Sequence, residues 1–73
     1  MKAAEYKAAR IELRWTHQHL ADVLGVRLRT AYRYAAGEQE IPESAARLLR
    51  LLVVLHFTFT GEKFDDIVEQ ITP

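Results

Sequence analysis

Three arginines stand within seven residues, Arg27, Arg29 and Arg33, interleaved with Leu28 and Tyr32. A guanidinium can hold guanine O6 and N7 with two parallel hydrogen bonds, and a leucine can rest on a thymine methyl, so Arg29 with Leu28 offers base readout. Tyr32 and Arg33 reach either a base or a phosphate. The same composition also describes a solvated basic helix face, so position must decide. Other chemistry is scarce. There is no Gly-rich phosphate loop, no Ser or Cys nucleophile with a matching His and acid, and no inward carboxylate pair of known spacing. Ser44 is the only serine, and it falls in a helix start. His17 and His19 are two apart, about 200° around a helix, so they cannot chelate one metal as an i, i+4 pair would. No enzyme activity, metal or cofactor is expected.

The elements that position the arginines lie between Thr16 and Gly37, THQHLADVLGVRLRTAYRYAAG. Thr16 is an N-cap, Leu20, Ala21 and Leu24 form the inner stripe of a helix, and Gly25 supplies the left-handed residue that ends it. Val26 packs the turn. A second helix runs from about Leu28, with Ala31 and Tyr34 inward and Gly37 as its stop. That leaves Arg27, Leu28, Arg29, Tyr32, Arg33 and Ala36 outward. Two helices a three-residue turn apart cross steeply.

These residues resemble the helix-turn-helix of the phage-repressor and Cro type, often called XRE-type. The family pattern is roughly Arg, a gap, apolar-Thr-Gln-x-x-Leu-Ala, apolar-Gly-Val, then Thr-Val-Ser-Arg-Trp and Gly. Here it becomes Arg10, Trp15-Thr16-His17, Leu20-Ala21, Leu24-Gly25-Val26, Thr30-Ala31-Tyr32-Arg33-Tyr34 and Gly37. The match covers Arg10 to about Leu52, more than half the chain. The resemblance implies an all-α, lambda-repressor-like domain of about five helices, a transcriptional regulator, in most cases a repressor, that sets its second motif helix in the major groove of double-stranded DNA as a dimer on a palindrome. Small autonomous members often regulate phage or mobile-element genes. The DNA-contacting set it implies is Thr16, His17, Arg27, Leu28, Arg29, Tyr32 and Arg33.

Four departures matter. The family's arginine at Arg10 pairs with a glutamate just after the recognition helix, but that position is Ala35, so Arg10 is either paired otherwise, with Glu38 for instance, or free for a phosphate. His17 replaces a backbone-touching glutamine, and can still donate at a helix N-terminus, more strongly when protonated. Arg27 replaces a capping Ser or Thr and cannot accept amide bonds, which leaves Thr30 to cap or to pack. Glu38, Gln39 and Glu40 occupy a loop that is often basic; either it turns away from phosphates or it lowers non-specific affinity.

Net charge is zero, yet residues 1–33 carry seven basic and three acidic side chains, net +4, and residues 34–73 carry three basic and seven acidic, net −4. One half suits a phosphate-facing surface and the other does not. Absence of cysteine rules out disulfides and Cys-type zinc, and Met1-Lys2 leads into a helical pattern without an apolar signal region, so a cytoplasmic protein is expected.

Outside the motif, Ala3 to Leu13 reads as a first helix with Tyr6, Ala9 and Leu13 on one face. Trp15 reads as a core residue that staples onto Leu20 or its neighbours. Pro42 suits the first turn of a helix, with Glu43 at its positive end. From Ala45, AARLLRLLVVLHF is apolar nearly all round, too short to span a bilayer, and in need of cover on two sides. The last helix, opened by Thr60 or Gly61, carries Phe64, Ile67, Val68 and Ile71 at helical spacing, while a strand through His56 to Thr60 is the alternative for that stretch. A 73-residue chain buries only about 60% of its unfolded surface, so self-association is expected, with Leu52, Leu55, Phe64, Ile67, Val68 and Ile71 as a homodimer interface and the acidic residues on the side away from DNA. The competing function is a protein-interaction module, such as an antitoxin-like partner of another protein.

Overall fold

In the computed structural model, which describes residues 1–59 and 62–71, the chain is all-helical. The helices are α1 (Ala3–Leu13), α2 (His17–Leu24), α3 (Leu28–Ala36), α4 (Glu43–Thr58) and α5 (Glu62–Ile71). No strand occurs among the described residues: helix continues through Thr58, and Phe59 ends it in extended conformation. Thr60 and Gly61, expected to open the last helix, lie outside the described residues. No described helix is long and apolar enough to cross a membrane.

Three successive helices end in the same way. At Gly25 (φ +73°) and Gly37 (φ +75°) the backbone turns left-handed, and the amides of Val26 and Glu38 reach back to the carbonyls of Ala21 and Arg33 at 3.0 Å. These are Schellman closures, which satisfy carbonyls that the helix end leaves unpaired. α1 closes identically but without glycine: Arg14 has φ 59°, and the Trp15 amide donates to the Arg10 carbonyl at 3.2 Å. A side chain in this region costs roughly 1 kcal/mol or more. Arg14→Gly is therefore expected to raise stability by about 1 kcal/mol, seen as a higher urea midpoint at unchanged slope. A lower midpoint would show that the Arg14 side chain contributes more than its backbone costs.

The core collects Tyr6 and Leu13 of α1, Leu20 and Val23 of α2, Tyr34 of α3, and Ala46, Leu49 and Leu52 of α4, with Ile41 inserted from the preceding loop. Pro42 stands at the N-cap of α4 and Glu43 is its first residue. Tyr6 and Tyr34 meet edge to face, ring centroids 5.7 Å apart. The Tyr6 hydroxyl is enclosed with no hydrogen-bond partner among the described residues. Burial pushes its pKa up to about 12, Tyr34 adding to the rise and Arg10 opposing it. Below the unfolded pKa of about 10 both states are neutral. As pH climbs from 10 through 12 the unfolded chain loses this proton first, so stability falls. Tyr6→Phe is expected to remove part of that alkaline loss and to leave neutral-pH stability equal or about 1 kcal/mol higher, since an unpaired buried hydroxyl is a cost. Thermal melts from pH 8 to 11 check both effects.

Three residues expected at a dimer interface belong instead to the protomer's own core. Leu52 is 0% exposed, Phe64 3% and Val68 5%. The physical reason is the shortage of apolar cover: α5 lays Phe64 and Val68, one turn apart, over the bundle, and α4 turns Leu52 inward beside Leu49. Leu55 and Ile67 are half-buried, and Ile71 is exposed. Trp15 is half-buried and packs against this core. Its ring stacks on Phe64 at 5.9 Å and meets His19 edge-on at 4.6 Å, so it ties the start of α2 to α5. The side of α4 bearing Leu51, Val54 and Phe57 remains open to solvent.

Candidate nucleic-acid interface

The α2–α3 pair is held at both its start and its turn. At the start, the Thr16 hydroxyl accepts a hydrogen bond from the His19 amide at 3.1 Å, a standard N-cap. At the turn, Gly25 has nothing within 4 Å of where a Cβ would stand, so only its positive φ demands glycine there. Ala21 and Ala31 are both fully buried where the pair packs, and their small size lets the helices approach closely.

Arg10 is paired otherwise than through a glutamate, and not with Glu38. Its Nη1 donates to the Trp15 carbonyl at 2.8 Å, so it fastens the end of α1 to the entry of α2. Its Nε is buried without a partner among the described residues. Glu38, the proposed counter-ion, instead gives its amide to the Arg33 carbonyl and keeps an exposed side chain.

Of the expected contact residues, Thr16, Arg27, Arg29, Tyr32 and Arg33 are exposed, while His17 and Leu28 are half-buried. Arg29 sits in the first turn of α3. Among the described residues the ion pairs are Arg47–Glu43 and Arg50–Glu5, both 3.2 Å, so no carboxylate engages Arg27, Arg29 or Arg33. Three cations on one short helix and its entry are left unneutralised by any described carboxylate. Arg27 occupies the N-cap of α3 with no side-chain cap, and Thr30, half-buried, does not replace it. The first-turn amides of α3 therefore remain available to an anion beside Arg27 and Arg29.

The structure joins two residues that sequence spacing kept separate. The rings of His17 and Tyr32 lie 4.7 Å apart, so the start of α2 buttresses the outward face of α3. Burial and the nearby Arg10 charge both hold the His17 pKa below its ordinary value. At neutral pH the imidazole is therefore uncharged and acts as a packing ring and hydrogen-bonding group rather than a cation.

The acidic half is not wholly remote from this surface. Asp65 and Glu69 of α5 border a groove of about 530 Å³ together with Arg14, Trp15, Thr16 and His19. Packing Phe64 against Trp15 brings α5, with Asp65 and Glu69, to the α1–α2 corner. No protein-family model, curated protein or solved structure matches the chain.

Proposed function

We propose that this chain is a sequence-specific DNA-binding regulator of the phage-repressor and Cro type, acting in the cytoplasm as a repressor on a palindromic operator. α3 enters the major groove; Arg29, with the partly exposed Leu28, reads base edges; Arg27, Arg33 and Tyr32 fix the helix against base or backbone. Thr16 and His17 approach the phosphates at the start of α2. The observation that carries this reading is the row of exposed arginines, without carboxylate partners among the described residues, on a helix whose other face is locked into the core. Two copies related by a two-fold axis place their reading helices about 34 Å apart on one side of the duplex, a separation within reach of a domain measuring 34 × 22 × 20 Å. Weak half-site binding then becomes specific binding to a palindrome.

The acidic Glu38 and Glu40 at the end of α3 fit this function as a restraint, since repulsion from phosphates falls on all sequences alike and leaves base contacts to discriminate. Selection of bound sites from a random duplex pool tests the proposal. An enriched motif with two-fold symmetry and a guanine in each half-site is expected. Recovery of no motif, from protein shown to be folded, would reject it.

A further inference from the structure

The open face of α4 carries Leu51, Val54 and Phe57 at 53%, 59% and 68% exposure. Beside it runs α1, whose outer row Ala4, Ala8 and Ile11 is also exposed. Between the two helices lies a groove of about 440 Å³, floored by Ala8, Ala9, Val53 and Val54. Glu5 and Arg50 bridge one end at 3.2 Å, and Glu12 and Phe57 flank the groove as well. A contiguous apolar surface of this kind on so small a domain marks a contact site.

We infer that this face is the surface on which a second copy of the chain docks. The argument is self-complementarity. Glu5 meets Arg50, and one helix end later Trp15 and His56 both touch Phe64, so α1 and α4 run in the same direction. Glu12 therefore lies towards the Phe57 end of the groove and Glu5 at the Arg50 end. A two-fold axis at Val54 sets the two α4 helices antiparallel. Phe57 of each copy then falls over the groove at the Arg50 end of the other, and Arg50 of each comes to the Glu12 of the other. Glu12 has no ion-pair partner among the described residues of its own chain, so the pairing uses a free carboxylate. The size also fits: a standard interface takes about 800 Å² from each partner, about a sixth of the 5031 Å² the chain exposes and comparable with one side of a 34 × 22 × 20 Å body.

This placement deepens the two-fold reading proposed above. Its test uses protein without DNA, so failure of the interface and failure of DNA binding are separately visible. The chain has no cysteine, which makes single-cysteine variants clean reporters. Val54→Cys is expected to form a disulfide-linked dimer on mild oxidation at concentrations where Ile71→Cys stays monomeric. Wild type is expected to sediment as a dimer, and Val54→Asp as a monomer with an unchanged helical circular dichroism spectrum, because Val54 supports no core packing. Glu12→Arg, which sets like charges opposite each other, is expected to weaken the dimer about tenfold. Three outcomes would overturn the inference: a wild-type monomer throughout the micromolar range, which would assign the face to a different protein; a wild-type dimer that Val54→Asp leaves intact; or cross-linking through Ile71→Cys in preference to Val54→Cys.

Discussion

Leu52→Ala is expected to lower the stability of the fold by about 2–5 kcal/mol, the range for emptying a buried leucine site that cannot fully collapse. Leu52 is 0% exposed and lies with Leu49 on the inward stripe of α4. A 73-residue domain has roughly 4–11 kcal/mol in total, so the variant stands near the edge of unfolding at ambient temperature. The loss belongs to the protomer and is expected to be the same at every protein concentration. Val54→Ala, off the inward stripe and largely exposed, is expected to change protomer stability by less than about 0.5 kcal/mol. Urea titrations over a range of concentrations separate the two. A Leu52→Ala penalty that grows with concentration would return Leu52 to an interface and contradict the core described above.

Arg29→Ala is expected to cost about 1–3 kcal/mol of discrimination at one base pair of each half-site, with a smaller loss on random duplex. The expectation rests on an exposed arginine in the first turn of α3, on no carboxylate among the described residues engaging it, and on the locking of that helix by Tyr34 and Ala31. In a two-fold complex the loss applies twice, which makes this the largest functional effect of any single substitution proposed for the face. Binding measured on the selected site, on single-base variants of it and on random duplex checks the assignment. Equal weakening on all of them would make Arg29 a phosphate contact.

Much of the motif was legible because its signals are local. Gly25 and Gly37 mark helix ends through backbone chirality alone, Thr16 marks a start through its hydroxyl, and the bounds of α1 follow from the spacing of Tyr6 and Leu13. The left-handed Arg14 was not legible, since no residue type announces a Schellman closure made without glycine. Nor was the Arg10 bond to the Trp15 carbonyl, because a backbone partner leaves no trace in sequence. Three of the expected dimer residues, Leu52, Phe64 and Val68, lie in the core for a more general reason. Periodicity in α5 shows that Phe64 and Val68 share a face, but which surface covers that face depends on how the chain folds back. Once Phe64 had stacked on Trp15 and met His56 edge-on, the apolar side of α4 left uncovered was that of Leu51, Val54 and Phe57 rather than that of Leu52. The contact of His17 with Tyr32 likewise exists only through the crossing of two helices.

The salt dependence of duplex binding tests the central claim most directly. Arginines on phosphates release counterions, each contact contributing a slope of about −0.9 in a plot of log affinity against log salt. With several such contacts from each copy, affinity for the selected duplex is expected to fall about 10³-fold or more between 50 and 200 mM salt, and Arg33→Ala or Arg27→Ala to flatten the slope if it removes a phosphate contact. Binding that is absent at low salt, or that holds constant across this range, would contradict a DNA-reading role for α3.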